Sequence, residues 1–228
     1  MKLLNILFPP RCPFCGKITN EKGSVCGSCL EELPFISGKV CSVCGTPIGK
    51  YSYDTCLGCS KSRKFFTKAF PVFSYEGAVS AAIKKFKYCR HPAYAHAFSV
   101  LMAQKILNTE EFLRGFDFIT YVPQSRIEHF ARGYNQSYLL AKELSKLLNL
   151  PLKDTLKRKN TPRQAALKAS ERKKNAQRSY FPKVEEVSGT ALLIDDVLTT
   201  GATASYCAKL LRNMGAERVY VAVLAAKH

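Results

Sequence analysis

The chain has 228 residues, of which 46% are hydrophobic, and its 35 basic and 17 acidic side chains give a formal charge of +18 at pH 7. This length allows one sizeable core with a small additional module, and no apolar run reaches the length of a membrane span. Positive charge of this size favours polyanionic partners with phosphate backbones. Ordinary solubility charge is the alternative, and it fits less well because the basic residues are clustered.

The chain begins with a short apolar stretch, residues 3–8, which Pro9 and Pro10 end. The stretch is too short for a secretory signal, and no small-residue cleavage site follows it. We therefore expect a cytoplasmic protein whose apolar start packs on the body of the chain. A peripheral membrane contact is the alternative.

Eight cysteines form four C-x2-C knuckles near the start of the chain. They are Cys12, Cys15, Cys26, Cys29, Cys41, Cys44, Cys56 and Cys59. The phrases CPFCG and CSVCG repeat after 29 residues, which indicates two copies of one unit. Four thiolates held tetrahedrally suit Zn²⁺. Residues 1–62 are thus predicted to fold around two structural zinc ions, and they resemble a double zinc ribbon.

The pairing of the knuckles is not fixed by the spacing alone. The repeat favours two consecutive sites, each made by neighbouring knuckles. A cross-braced pairing, first knuckle with third and second with fourth, stays open, and so does iron in place of zinc. Disulfides are disfavoured in a chain without an export signal.

Residues 63–76 are predicted to be a basic linker and a connecting strand. At its start, cations flank two phenylalanines, an arrangement that suits single-stranded nucleic acid because bases stack on rings and phosphates pair with cations. With later basic positions, the predicted nucleic-acid contacts are Lys61, Arg63, Lys64, Phe65, Phe66, Lys84, Lys85, Lys87, Arg163, Arg172, Lys173 and Lys174. In the alternative, at least one phenylalanine packs under the zinc module.

Residues 77–228 alternate between strand and helix patterns, which predicts an α/β fold with a parallel sheet covered on both faces. Strands are predicted at 118–122, 151–156, 191–194 and 218–224, after a first strand at 71–77, and helices at 78–88, 93–107, 134–148 and 202–214.

Two basic segments between these elements carry candidate ligand contacts. The loop at 122–136 reads VPQSRIEHFARGYNQ. It directs Arg126 and Arg132 toward a pyrophosphate, and Gly133 allows a close backbone turn. The polar segment at 157–178 holds nine basic residues against one acidic residue. We expect it to form a mobile flap over the ligand site.

Residues 191–203, ALLIDDVLTTGAT, carry the most chemistry. The apolar run predicts a buried parallel strand, and Asp195 and Asp196 follow at its carboxyl end, where open α/β sheets bind ligands. The turn after them offers amides to a phosphate at a helix N-terminus, and the carboxylates suit ribose hydroxyls and Mg²⁺. In the alternative, the aspartates merely cap the following helix.

This segment resembles the signature with which type I phosphoribosyltransferases bind 5-phosphoribosyl diphosphate (PRPP). The resemblance implies a Rossmann-like parallel sheet of that type, with Asp195 and Asp196 on the ribose hydroxyls and Mg²⁺ bound with PRPP. The implied phosphate loop is Thr199, Thr200, Gly201, Ala202 and Thr203, supplemented by Arg132 and Gly133. The implied catalytic set is Asp195, Asp196, Arg126 and Arg132.

Taken together, the motifs resemble those of the ComF family of competence proteins. The matching stretches are FPPRCPFCG, KKFKYCRHP, RGYNQ, TPRQAAL and the 191–203 segment. The resemblance implies a double zinc ribbon at 1–62 and a phosphoribosyltransferase-like domain at 77–228. It further implies a role in natural transformation, in which the protein handles single-stranded DNA in the cytoplasm with a DNA-translocating helicase as partner.

Two other functions stay open. An active phosphoribosyltransferase would move phosphoribose from PRPP to an acceptor, although no sequence feature names that acceptor. A salvage or regulatory protein unrelated to competence is the third interpretation.

Overall fold

The computed structural model of the chain describes residues 9–19, 24–49, 53–159 and 179–227. A four-stranded parallel sheet organises them, with strand order β1-β6-β5-β2. Its strands are β1 (Lys68–Ser74), β2 (Phe118–Tyr121), β5 (Thr190–Leu198) and β6 (Arg218–Ala226). Two further strands, β3 (Leu156–Arg158) and β4 (Tyr180–Pro182), form a separate antiparallel pair. The predicted α/β class with a parallel sheet is confirmed.

Helices connect the strands and cover both faces of the sheet. They are α1 (Gly27–Glu32), α2 (Leu57–Lys61), α3 (Gly77–Tyr88), α4 (Tyr94–Leu107), α5 (Glu110–Leu113), α6 (Arg126–Arg132), α7 (Gln136–Leu147) and α8 (Ala202–Asn213). None of the helices in the described residues is long and apolar enough to cross a membrane.

The central strand β5 divides the interior into two cores. Leu192 and Ile194 point into a core with α3, α4 and α7, which we call the first face. Ala191 and Leu193 point into a core with α8 and the β3–β4 pair, the second face. Alternation of side chains along a strand explains the division, and burial on both sides explains why the run is apolar throughout.

The cysteine-rich segment lies along the edge strand β1. Ile36 N donates to Val72 O at 2.9 Å, and Ala69 N donates to Val43 O at 2.8 Å. The segment thus satisfies polar groups of a strand that has no sheet neighbour on this side. Its approach is so close at Gly45 that a Cβ there would lie 2.5 Å from Ala69 O.

Several elements differ from the sequence predictions. Strand β1 begins at Lys68 and pairs with β6, so part of the expected linker belongs to the sheet. The strand predicted at 151–156 contributes a single bridge from Leu152 to Ile119, and the regular strand begins only at Leu156. The predicted loop at 122–136 contains helix α6, which a capping box between Ser125 and Glu128 starts.

The predicted flap falls mostly outside the described residues. Within it the structure describes 157–159, of which Lys157 and Arg158 belong to β3. The predicted nucleic-acid contacts that lie outside the described residues are Arg163, Arg172, Lys173 and Lys174.

Candidate functional site

The acidic pair lies inside strand β5, which continues to Leu198 rather than ending before the aspartates. The ladder with β2 stops at Ile194, whereas the ladder with β6 continues to Leu198. Asp195 and Asp196 therefore extend past the end of β2 at the carboxyl edge of the sheet. This position leaves room for a ligand beside the pair.

Two helices of the first face hold the carboxylates. Ser137 Oγ donates to Asp195 Oδ1 at 3.0 Å, and Lys87 Nζ lies 2.8 Å from Asp196 Oδ1. The backbone amide of Asp196 also donates to Asp195 Oδ1, at 2.9 Å. Gly201 precedes α8 and no side chain caps that helix. The alternative in which the aspartates cap α8 is therefore wrong.

The electrostatics of the pair follow from this burial. Burial, and then the charge of Asp196, raises the pKa of Asp195 to about 7. Burial lowers the pKa of Lys87. The charge of Asp196 and its hydrogen bond with Lys87 together outweigh burial, so the pKa of Lys87 is raised overall. Lys87 is therefore a charged partner of the pair and not an exposed contact for nucleic acid. No local sequence signal indicates this role of Lys87, and Ser137 has only its position directly after the RGYNQ motif.

The predicted phosphate loop follows β5 and leads into α8. Thr199 and Thr200 are exposed, and Gly201 adopts φ +70°, a left-handed conformation that suits glycine. The amide end of the twelve-residue helix α8 points toward this loop and favours an anion. Lys64 Nζ donates to Thr200 O at 2.8 Å, so a predicted nucleic-acid contact lies on the loop itself.

The two predicted arginines have different surroundings. Arg132 ends α6 and is buried, with Nη1 3.1 Å from Gln136 Oε1 and its guanidinium 5.2 Å from the centre of the Tyr88 ring. Gln136 links this arginine to α3, because Gln136 Nε2 donates to Lys87 O at 3.4 Å. Arg126 is exposed at the start of α6. Gly133 adopts φ +82° and ends the helix.

The predicted nucleic-acid residues do not form one surface. Phe66 is 3% exposed and packs in the second-face core with Cys41 and Cys44, which is the alternative foreseen for one of the two rings. Phe65 is 43% exposed, and Lys209 Nζ of α8 lies 5.3 Å from its ring centre.

The exposed cations are divided between two places. Lys61 and Arg63 are exposed beside Phe65. Lys84 and Lys85 are exposed on α3, which covers the first face.

The knuckles form two consecutive four-cysteine sites. The sulfur atoms within each set lie within 4.8 Å of one another, and the sets are Cys12, Cys15, Cys26 and Cys29, and Cys41, Cys44, Cys56 and Cys59. The consecutive pairing is confirmed and the cross-braced alternative is wrong. All of these cysteines are free of disulfides.

The cysteines of each site differ in their pKa shifts. Burial raises the pKa of Cys12, but backbone amides led by that of Cys26 outweigh it and lower the pKa to about 7. Burial raises the pKa of Cys29, and the hydrogen bond with Cys44 raises that of Cys59. A cation is therefore needed to hold all four sulfur atoms of a site as thiolates, and four thiolates fit a closed tetrahedral zinc centre, so the two sites suggest structural zinc.

Family models match both parts of the chain. Residues 3–62 match the double zinc ribbon domain, and residues 135–228 match the phosphoribosyl transferase domain. The molecule is thus a zinc-ribbon protein built on a phosphoribosyltransferase domain.

Relatives place the chain more closely. It is 30% identical to Competence protein F of Haemophilus influenzae over 92% of this chain and 94% of that protein. It is 30% identical to the DNA utilization protein YhgH of Escherichia coli over 80% of this chain and 82% of that protein. Competence protein ComFC of Bacillus subtilis is 27% identical over 84% of this chain and 79% of its own length. The chain belongs to the ComF family.

Proposed function

We propose that this ComF-family protein binds PRPP, or a related sugar phosphate, at the carboxyl edge of β5. The observation that carries the proposal is the placement of Asp195 and Asp196 directly before an exposed loop that leads into the N-terminus of α8. The carboxylates suit the ribose hydroxyls, and the loop suits the 5-phosphate. The phosphoribosyl transferase match over residues 135–228 supports the same assignment.

The cations beside the pair supply the complement for a diphosphate. Arg132 and Lys87 are both largely withdrawn from water, and such cations bind phosphate oxygens more strongly than exposed ones do. Asp195 and Asp196 offer hard oxygen donors that fit Mg²⁺ together with the diphosphate oxygens. Bound in this way, Mg²⁺ would neutralise charge on the diphosphate.

Calorimetric titration with PRPP and Mg²⁺ tests the proposal. Asp195→Ala and Asp196→Ala are expected to lower the affinity at least tenfold, because each removes a partner of the ribose. Glu110→Ala is the matched control, since Glu110 is exposed on α5, whose Glu111 pairs with Lys68 at the start of β1. Wild-type affinity in both aspartate variants, with circular dichroism showing an intact fold, would refute the site.

The wider role we propose is the handling of single-stranded DNA during natural transformation, in the cytoplasm and with a DNA-translocating helicase as partner. The names of the relatives refer to competence and DNA utilization, and they support this setting. The charge of +18 supports a polyanionic partner. On the molecule, Lys61, Arg63 and the half-exposed Phe65 ring offer cations beside a stacking surface.

Fluorescence anisotropy with a labelled single strand tests the DNA interface. The triple variant Lys61→Ala, Arg63→Ala, Phe65→Ala is expected to weaken binding by about tenfold or more. The double variant Lys84→Ala, Lys85→Ala, on the other face, is the matched control and is expected to change binding far less. Equal losses in the two variants would assign the interaction to net charge alone, and no binding by the wild type at moderate salt would refute it.

A working phosphoribosyltransferase is the second candidate, and the ion pair of Lys87 with Asp196, together with the buried Arg132, favours it. These charges would stabilise the departing diphosphate. Release of pyrophosphate from PRPP by the wild type, and its loss in Asp196→Ala, would establish turnover. Stoichiometric PRPP binding without release would leave a binding function.

A further inference from the structure

The RGYNQ motif, residues 132–136, joins the end of α6 to the start of α7. Its first residue is the buried cation Arg132. Its last three residues, Tyr134, Asn135 and Gln136, have no part in the proposed ligand contacts. Each of them nevertheless makes hydrogen bonds that fix this junction, so the motif carries more order than a connection between two helices needs.

Tyr134 and Asn135 fix the junction to other elements. Tyr134 Oη donates to Phe86 O of α3 at 2.5 Å, and Asn135 Nδ2 donates to Val122 O, directly after β2, at 3.3 Å. Asn135 Oδ1 also accepts from Tyr138 N at 3.2 Å and so caps α7. The first turn of α7 therefore has a defined position against both α3 and the end of β2.

Gln136, in this first turn, connects the segments that carry the two cations. Its side chain is buried, Oε1 accepts from Arg132 Nη1 at 3.1 Å, and Nε2 donates to Lys87 O at 3.4 Å. The amide of Gln124, just before α6, contacts the same amide group. A buried amide that is bound at both ends loses hydrogen bonds if it turns over. Its oxygen therefore stays directed at the guanidinium.

The guanidinium of Arg132 is held on two sides. Gln136 binds Nη1, and the centre of the Tyr88 ring lies 5.2 Å from the guanidinium carbon. A guanidinium has five N–H donors, so one bond at Nη1 still permits a fork-shaped contact with phosphate oxygens. An arginine that is already held loses little rotamer freedom when an anion binds. This order favours a ligand that places a diphosphate beside Arg132.

The next residue of α7 acts on the acidic pair. Ser137 Oγ donates to Asp195 Oδ1 at 3.0 Å, and Asp195 is the proposed partner of the ribose. Two successive residues thus hold one cation and one carboxylate of the same site. Successive residues of a helix do not face each other. Each of the two side chains can therefore be changed without removing the hydrogen bond of the other.

We propose that Gln136 is a positioning residue that selects ligands with a diphosphate by holding Arg132 in place. The proposal rests on the proposed function and adds to it the part of the RGYNQ motif that does not touch the ligand. Ribose 5-phosphate is the diagnostic comparison, because it shares the ribose and the 5-phosphate of PRPP but lacks the diphosphate. Loss of Gln136 should therefore reduce the affinity for PRPP alone.

Calorimetric titration of the zinc-loaded full chain with PRPP and with ribose 5-phosphate, each with Mg²⁺, tests the proposal. Gln136→Met keeps the length of the side chain and removes both hydrogen bonds. It is expected to lower PRPP affinity about tenfold and to leave ribose 5-phosphate affinity within about twofold of the wild type. Gln136→Asn withdraws the amide by one methylene group and gives the same test if Gln136→Met does not fold. Equal losses for the two ligands, or no loss for either, would overturn the proposal.

Ser137→Ala is the matched control from the same helical turn. It is expected to weaken PRPP and ribose 5-phosphate by similar factors, because both ligands carry the ribose that Asp195 is proposed to bind. A selective loss of PRPP affinity in this variant too would indicate that any disturbance of α7 has that effect. That result would contradict a specific role of Gln136.

A double-mutant cycle tests whether Gln136 acts through Arg132. The double variant Gln136→Met, Arg132→Met should bind PRPP no more weakly than Arg132→Met alone, because the arginine to be positioned is already absent. A further loss of about tenfold in the double variant would contradict the positioning role.

The wild type separates this proposal from the proposed function. PRPP binding that Gln136→Met leaves unchanged would refute the positioning role and leave the proposed function intact. Wild-type protein that binds neither PRPP nor ribose 5-phosphate would refute both.

Discussion

The two zinc ribbons share a cysteine pattern but contact opposite faces of the sheet. The first packs into the aromatic core of the first face, where the ring centre of Phe14 lies 5.8 Å from that of Phe73 and 5.7 Å from that of Phe98. The second packs on the second face and also lines a cavity whose wall includes Thr199, Thr200 and Gly201 of the phosphate loop. A repeated motif thus keeps one folding role while its copies acquire different neighbours.

Loss of one metal ligand from each ribbon gives the largest expected effects. Cys15→Ser and Cys59→Ser should each release one zinc ion and much of the roughly 10 kcal/mol that a structural zinc contributes. Metal content and thermal unfolding measure this. In the protein that remains folded, only Cys59→Ser should also lose PRPP affinity, because Lys64, which donates to Thr200 O of the phosphate loop, follows the second ribbon. Equal PRPP affinities in the two variants would contradict a specific role for the second ribbon.

Truncation of one phenylalanine under each ribbon sharpens the comparison without touching the metal ligands. Phe14→Ala and Phe66→Ala should each lower the free energy of unfolding by about 3–5 kcal/mol, since both rings are buried. Denaturant titration measures the loss. At temperatures where both variants are folded, Phe66→Ala should weaken PRPP binding, because Phe66 anchors the linker that places Lys64 on the phosphate loop, and Phe14→Ala should not. A reversed order would indicate that the first ribbon, not the second, supports the ligand.

The acidic pair depends on the first face through Lys87. Lys87→Met removes the partner of Asp196 and should lower the free energy of unfolding by about 3 kcal/mol, because a carboxylate is left unpaired in a largely buried place. It should also weaken PRPP binding, in contrast to Lys85→Met on the exposed side of the same helix. Unchanged stability of Lys87→Met in a denaturant titration would show that the ion pair is absent in solution.

The pKa of Asp195 predicts the smallest effect, a dependence of stability on pH. Because burial raises that pKa from 3.8 to about 7, its stabilising contribution is complete below pH 4 and is lost as the pH rises through 7. Asp195→Asn should therefore match the wild type near pH 4 and exceed it by about 2 kcal/mol at pH 8. Glu110→Gln is the exposed control, and parallel pH profiles for wild type and Asp195→Asn would contradict the prediction.

The sequence predicted those features that depend on local patterns. The apolar run before Asp195 predicts a buried parallel strand, and the repeat of C-x2-C knuckles predicts two metal sites and favours their consecutive pairing. Helix α6 also has a local signal, the Ser125 and Glu128 capping box, which was passed over because the segment was interpreted as a loop.

Contacts between distant parts of the chain could not be predicted in this way. The partner of Asp196 is Lys87, and nothing near either residue indicates the other. Phe65 and Phe66 are adjacent and chemically identical, yet one is half-exposed and the other lies under the second ribbon. The difference in their exposure depends on a tertiary contact that fixes the linker on α8: Phe65 N donates to Ser205 Oγ at 3.1 Å.

The contact between the cysteine-rich segment and β1 has a consequence for the protein in the cell. That segment satisfies backbone groups of β1 through Ile36 and Val43, and we expect it to keep this position only while its two four-cysteine sites hold metal. Zinc starvation would uncover the outer strand and let it pair with another copy of the chain. The cellular amount of correctly folded protein, and not only its affinity for ligands, would then depend on the zinc supply.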